Sequence, residues 1–122
     1  MAESNEQRYV PAEVDVRNHR ADRKVRIAWE DGHAARYPYE YLRGHCPCAS
    51  CQGHFQTPSF RVVPGATLNE VGLVGSYAFS MSWTDGHDTG IYTFRKLRDL
   101  CPCRSCRPEG VPELKELGIE QE

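Results

Sequence analysis

The chain of 122 residues has no long hydrophobic run, no strong net charge and no apolar N-terminal segment. Its apolar runs are only a few residues long, whereas a membrane-spanning helix needs about 20, so we expect no span. The net charge of −2 offers no general attraction to nucleic acid or to an anionic membrane. Because the N-terminus is polar, it does not look like a signal peptide, and we expect a cytoplasmic protein with reduced thiols.

The sequence contains one pattern twice. Each copy begins with Trp-x-Asp-Gly-His, continues through a tyrosine and a Leu-Arg pair, and ends in a Cys-Pro-Cys-x-Ser-Cys triplet. The copies span about residues 24–51 and 77–106, and they are offset by 54 residues at the histidine and by 55 at the cysteines. All six cysteines lie in the two triplets. A repeat of this kind indicates two related halves.

Alternation of apolar and polar residues predicts strands at 13–17, 24–29, 34–37, 68–83 (one bent strand or two) and 90–92. The first two strands should pair as a hairpin, and Gly72 and Gly75 should mark a bulge or a close approach. Short helices are predicted at 38–43, 94–100 and 112–117, the last ended by Gly118. The expected fold is a small α+β domain with a mostly antiparallel sheet, two or three short helices and two pseudo-symmetric repeats.

The predicted organisation has three parts. Residues 1–10 are expected to be a disordered tail, residues 11–107 a single metal-binding domain, and residues 108–122 a C-terminal tail that includes the short helix.

Each Cys-x-Cys-x2-Cys triplet can direct three thiolates at one centre, and its proline restricts the loop. Structural zinc takes four ligands, and Cys3His is one of its standard sets. Disulfides are less favoured, because the expected compartment is reducing and Cys-x-Cys neighbours are awkward to bridge. Buried cysteine acting only as core is the other alternative.

Five histidines compete for the fourth position. His33 and His87 occupy equivalent places in the two repeats, which favours both of them. His45 and His54 are merely close to the first triplet, and His19 lies in a polar turn where we expect it to be solvated.

The other repeated residues have simpler interpretations. The repeated Trp, Tyr and Leu are expected to form core. Arg43 and Arg98 are expected at the C-terminal ends of short helices, where a cation suits the helix dipole, and anion binding is the lesser alternative. The acidic residues Asp85, Asp88 and Asp99 are expected to be solvated surface.

Over about residues 11–106 the chain resembles the GBBH-like N-terminal domain family, named for the N-terminal domain of γ-butyrobetaine dioxygenase. The resemblance is carried by Trp29–Gly32, Leu42–Cys51, Val74–Ala78, Trp83–His87 and Gly90–Tyr92. It implies a zinc site formed by Cys46, Cys48, Cys51 and His87. No His-x-Asp/Glu occurs in the chain, so an oxygenase iron triad cannot be assembled in the usual way, and we expect no catalysis of that kind.

The repeat extends this expectation to a second site. If the first triplet takes His87 from the second half, the second triplet should take His33 from the first half. The predicted second set is therefore Cys101, Cys103, Cys106 and His33. The alternative is that the second triplet is a relic with free thiols.

The leading functional hypothesis is a stand-alone zinc-binding module, with one or two zinc ions, that serves as a protein-interaction or accessory domain linked to oxidoreductases. The alternative is iron–sulfur cluster binding, carriage or delivery, since similar domains occur fused to P-loop ATPases with such clusters and three thiolates suit one. A hydrolytic zinc enzyme would need an open coordination position and a base such as Asp31 or Asp85. The protein partner is open, and a homo-oligomer is possible.

Overall fold

The structure, a computed structural model, describes residues 7–46, 60–86 and 90–122. Its strands are β1 (Pro11–Asp15), β2 (Lys24–Trp29), β3 (Ala34–Pro38), β4 (Leu68–Val74), β5 (Ala78–Trp83) and β6 (Gly90–Thr93). Its α-helices are α1 (Tyr39–Gly44), α2 (Phe94–Asp99) and α3 (Pro112–Leu117), and a 3-10 helix spans Arg17–Asp22. The strands form two three-stranded antiparallel sheets, which confirms the small α+β fold.

The first sheet has the order β1-β2-β3. Alternate residues of β2 are buried, which explains why apolar and polar residues alternate in its sequence and predict a strand there. Gly32 adopts a positive φ of 91° in the turn between β2 and β3. The turn is closed by hydrogen bonds from the Gly32 amide to the Trp29 carbonyl at 3.0 Å and from the Trp29 amide to the His33 carbonyl at 2.7 Å. The hairpin thus places His33 in the turn, immediately before β3.

The second sheet has the order β4-β5-β6. The long stretch 68–83 is two strands, and the turn between them contains Gly75 with a φ of 54°. Gly72 is the predicted close approach, because a Cβ there would lie 3.0 Å from Oγ of Ser80. The bulge of this sheet falls between Leu68 and Glu70 and not at a glycine.

The chain forms two compact units, and each combines parts of both repeats. The first unit consists of Met1–Pro38 and Phe94–Glu122, and the second consists of Tyr39–Thr93. The first sheet therefore shares a unit with α2 and the second triplet, while the second sheet shares one with α1. The single domain over 11–107 and the pseudo-symmetry between repeats stay predictions.

Matching hydrogen bonds join helix and sheet within each unit. In the first unit the Tyr37 hydroxyl donates to the Leu97 carbonyl at 2.7 Å. In the second unit the Tyr92 hydroxyl donates to the Leu42 carbonyl at 2.7 Å. All four of these residues are fully buried, and Trp29 and Trp83 are nearly so. The repeated Trp, Tyr and Leu therefore form core, as predicted.

The described part of the predicted N-terminal tail, residues 7–10, packs within the first unit. The Val10 carbonyl accepts a hydrogen bond from the Glu30 amide at 2.8 Å. The Arg95 guanidinium lies 4.1 Å from the centre of the Tyr9 ring. The first six residues lie outside the described part, and the disordered tail over residues 1–10 stays a prediction.

The C-terminal helix α3 begins at Pro112 and ends at Gly118, whose φ of 73° gives a left-handed cap, as predicted. None of the helices described here has the length and apolar character that a membrane crossing requires.

Candidate metal centre

Four predicted ligands come together in the first unit. The Nε2 atom of His33 lies 3.2 Å from Sγ of Cys101, 3.6 Å from Sγ of Cys103 and 3.6 Å from Sγ of Cys106. One donor atom from each residue lies within 4.8 Å of every other. The histidine comes from the first repeat and the cysteines from the second, so the predicted crossing between repeats is present in the geometry.

These separations fit one tetrahedrally coordinated ion. With metal–sulfur bonds of about 2.3 Å and metal–nitrogen bonds of about 2.0 Å, neighbouring ligand atoms of a tetrahedral zinc site lie roughly 3.5–3.8 Å apart. The nitrogen–sulfur distances to Cys103 and Cys106, both 3.6 Å, fall within this range, and the distance of 3.2 Å to Cys101 falls below it. The donor set of three sulfurs and one imidazole nitrogen is a standard one for structural zinc.

Helix α2 delivers the triplet to this position. The Leu100 amide donates to the Lys96 carbonyl at 2.9 Å, and the Cys101 amide donates to the Arg98 carbonyl at 3.1 Å, so the chain leaves the helix in a tight turn. Cys101 is fully buried at this point. Further along the loop, Cys103 is half-buried and Cys106 is exposed, so the exposure of the three cysteines increases along the triplet.

The protonation of the four ligands is set by burial and by hydrogen bonds. Burial, together with the nearby Arg98 cation, lowers the pKa of His33, so the imidazole is neutral at neutral pH and can bind a metal. Burial raises the pKa of the Cys101 and Cys106 thiols. Burial also acts on Cys103, but the hydrogen bond from the Cys106 amide and others outweigh it and lower the Cys103 pKa. Metal binding at neutral pH must therefore release protons.

An ion pair between the buried Arg98 and the partly exposed Asp31 lies next to His33. The guanidinium of Arg98 donates from NH1 to Oδ1 of Asp31 at 3.1 Å, and its NH2 lies 3.0 Å from Oδ2. Oδ1 of Asp31 also accepts a hydrogen bond from the His33 amide at 3.1 Å. The Arg98 side chain is only 8% exposed. Hydrogen bonds from Arg98, opposed by burial, and the bond from His33 lower the pKa of Asp31 and keep it ionised.

The second unit contains the equivalent pair. Arg43 donates to Oδ2 of Asp85 from Nε at 3.2 Å and from NH2 at 3.1 Å, and its side chain is 9% exposed. Arg43 and Arg98 lie in the last turns of α1 and α2, as predicted, and Asp85 is exposed, as predicted. The sequence interpretation missed the ion pairs, in which each buried arginine holds a carboxylate. The available signal was that both residue types recur at equivalent places in the repeats.

The first predicted site lies mostly outside the described residues. Cys48, Cys51 and His87 are not described, nor are His54 and Asp88. Cys46 is buried, and a Cβ on Gly90 would lie 3.1 Å from its Sγ. The site of Cys46, Cys48, Cys51 and His87 stays a prediction.

The remaining described residues of the prediction lie elsewhere. The His45 ring packs against Tyr41 and Phe60, with ring centres 4.9 Å apart in each case. Nε2 of His19 lies 3.8 Å from Oδ2 of Asp15. Asp99 accepts a hydrogen bond from the Tyr9 hydroxyl at 3.5 Å.

Comparisons with known proteins give a consistent family. A family model described as "Gamma-butyrobetaine hydroxylase-like, N-terminal" matches residues 16–98. No curated protein matches the chain.

Solved structures share the fold. A crystal structure of a protein of unknown function in the DUF971 family, from Acidithiobacillus ferrooxidans, is 36% identical with a TM-score of 0.61, and the match covers 77% of this chain and 94% of that one. Two solution structures determined by NMR are 28% and 25% identical with TM-scores of 0.63 and 0.64. Both matches cover 93% of this chain, and they cover 90% and 85% of the other chains. The chain belongs to the gamma-butyrobetaine hydroxylase-like N-terminal family.

Proposed function

We propose that this protein is a non-catalytic metal-binding module that holds one zinc ion with His33, Cys101, Cys103 and Cys106. The observation that carries the proposal is the convergence of four donor atoms within 4.8 Å of one another. Nearly 70 residues separate the histidine from the first cysteine in sequence. Four protein ligands complete a tetrahedral zinc shell and leave no position for a substrate, which favours a structural role over a hydrolytic one.

The metal would connect two parts of the first unit. Its ligands come from the turn between β2 and β3 and from the loop after α2. Binding there would add directly to the folding free energy, as it does in other small metal domains. The module would then act through its surface as an interaction or accessory domain, and an association with oxidoreductases is the proposal that the family suggests. A second zinc at Cys46, Cys48, Cys51 and His87 belongs to the same proposal.

An iron–sulfur role is the second candidate. It is favoured by the exposure of Cys106, because an outer sulfur suits a cluster that is exchanged with a partner. The same four residues would serve both functions, since zinc and iron both accept thiolates.

The test is metal content and colour after anaerobic purification without added metal. Colourless protein with two zinc ions per chain would support the zinc module, and one zinc would support one site. Visible sulfur-to-iron absorption with iron and sulfide present would favour the cluster. Under the zinc proposal, His33→Ala should lose one metal per chain, whereas the matched control His19→Ala should keep the wild-type content. Wild-type protein with no metal, whose Cys101, Cys103 and Cys106 are all freely alkylated, would refute it.

A further inference from the structure

We propose that Arg98 is a positioning residue of the metal centre: it fixes the turn that carries His33 through Asp31, and it hydrogen-bonds a metal-bound cysteine sulfur through its Nε–H. This inference rests on the proposed metal binding by His33, Cys101, Cys103 and Cys106. It assigns a role to two residues that are not themselves ligands.

The first part follows from the shared carboxylate of Asp31. Its Oδ1 accepts both the His33 amide at 3.1 Å and NH1 of Arg98 at 3.1 Å, while Oδ2 lies 3.0 Å from NH2 of Arg98. A two-point arginine–carboxylate pair has a fixed geometry, so the carboxylate cannot rotate away from the amide. The turn, and with it the imidazole, is held in place before any metal arrives. Outer partners of this kind orient ligands in many metal sites.

The second part follows from the remaining hydrogen-bond donors of Arg98. NH1 also donates to the Arg8 carbonyl at 2.9 Å, and the guanidinium lies 5.6 Å from the Trp29 ring centre. The Nε–H is buried and has no acceptor in the part of the chain that the structure describes. A buried donor without a partner is unfavourable, so an acceptor is expected in the functional state.

The sulfurs of the triplet supply that acceptor. The triplet begins three residues after Arg98, where the Cys101 amide donates to the Arg98 carbonyl at 3.1 Å, and thiolates at Cys101 and Cys106 favour the Arg98 cation electrostatically. A metal-bound cysteine is a thiolate, which accepts hydrogen bonds better than a thiol does. Metal binding would therefore provide the partner that Nε lacks.

The equivalent ion pair in the second unit, Arg43 with Asp85, differs from the Arg98–Asp31 pair in how the arginine Nε–H is used. There Nε of Arg43 donates to Asp85 at 3.2 Å, so the carboxylate occupies the donor that Arg98 leaves available. The two arginines thus hold equivalent carboxylates through different edges of the guanidinium.

The experiment uses the 122-residue chain loaded with Co²⁺, and the affinity is measured by chelator competition. The spectrum of this centre is isolated by subtracting that of His33→Ala protein. Asp31→Asn and Arg98→Met should each weaken binding about 10–100-fold, the usual effect of losing an outer-shell partner. Arg98→Met should also shift the sulfur-to-cobalt absorption to longer wavelength, because the thiolate loses a donor, whereas Asp31→Asn should leave that band nearly in place. Arg98→Lys should bind cobalt more tightly than Arg98→Met does, but its sulfur-to-cobalt band should stay at the longer wavelength.

The matched control is Arg36→Met, which removes an arginine of the same unit that pairs with Asp22 and Glu122. It should leave affinity and spectrum unchanged. Affinity within twofold of wild type in both Arg98→Met and Asp31→Asn would overturn the inference, and so would an unshifted band in Arg98→Met. If Arg98→Met does not fold, Asp31→Asn, which keeps size and shape, decides the first part and Arg98→Lys the second. Failure of the proposed function is distinguishable, because wild-type protein would then lack the His33-dependent cobalt spectrum altogether.

Discussion

The Tyr37 hydroxyl offers a quantitative test of how the first unit holds the helix that leads into the cysteine cluster. Tyr37→Phe removes the 2.7 Å hydrogen bond to the Leu97 carbonyl and leaves a fully buried ring in place. That carbonyl also accepts a hydrogen bond from the Leu100 amide at 3.2 Å, so it keeps one partner. We therefore expect a loss of about 1 kcal/mol in the free energy of unfolding, the usual net value of one hydrogen bond, and not the larger cost of an orphaned group.

The measurement is urea unfolding of the reduced, metal-free protein, followed by circular dichroism. With a denaturant slope of about 1–3 kcal/mol per molar, a loss of about 1 kcal/mol lowers the midpoint by roughly 0.3–1 M at unchanged slope. Tyr92→Phe should lose a similar amount. Its hydroxyl donates at 2.7 Å to the Leu42 carbonyl, which keeps a 3.1 Å bond from the His45 amide.

Tyr77→Phe is the control, because Tyr77 is 54% exposed in the turn between β4 and β5. Its midpoint should stay within the error of wild type. If Tyr37→Phe and Tyr77→Phe unfold at the same urea concentration, the hydroxyl contributes nothing net. The hydrogen bond from Tyr37 to Leu97 would then not stabilise the attachment of α2 to the first sheet, contrary to our expectation.

Two further substitutions test packing and charge. Gly44→Ala would place a Cβ in a clash with the Phe60 ring and 2.5 Å from the Arg61 carbonyl oxygen. We therefore expect about 1–3 kcal/mol of destabilisation, measured by thermal unfolding. An unchanged or higher melting temperature, the usual result of Gly→Ala in a helix, would contradict this expectation. Glu122→Gln tests the ion pairs of Glu122 with Arg36 and Lys24. Although burial opposes them, these partners hold the pKa of Glu122 below its ordinary value of 4.5. The carboxylate therefore stabilises the fold above pH 4.5, and this effect is lost as the pH falls through the lower folded pKa. The urea midpoints of wild type and Glu122→Gln should differ at pH 7, and the difference should shrink as the pH falls below 4.5; a constant difference would count against the ion pairs.

The sequence predicted the local elements well where burial alternates cleanly. In β2 every second residue is buried, and α3 is bounded by Pro112 and by Gly118 with its left-handed φ of 73°. The stretch 68–83 could not be divided from its pattern alone, because apolar residues keep alternating through the turn. The conformation of Gly75, with a φ of 54°, separates the strands, and a glycine permits this but does not require it.

The candidate site was predictable through its repeat and not through its surroundings. The crossing of His33 to the second triplet followed from equivalent positions in the two halves. The pair of Arg98 and Asp31 was missed because the two residues lie 67 positions apart and an arginine in a short helix usually lies in solvent. The clue was again the repeat, since Arg43 and Asp85 recur at the matching places.

The division into units gives a physical reason for ligands that come from both halves. The first unit brings its first sheet together with α2 across contacts such as Tyr37 with Leu97, which are 60 residues apart. Closing a loop of this length costs conformational entropy, and this cost arises before the non-local contacts that stabilise the loop have formed. A bound metal would join His33 to Cys101, 68 positions apart, and so act as a cross-link in the same unit. By the chain-entropy model for cross-links, a loop of this size corresponds to about 4 kcal/mol. By the same model a metal held within one repeat would close a loop of about 15 residues, which corresponds to about 3 kcal/mol. Ligation across the repeats therefore adds about 1 kcal/mol to the cross-link and joins parts of the unit that are remote in sequence.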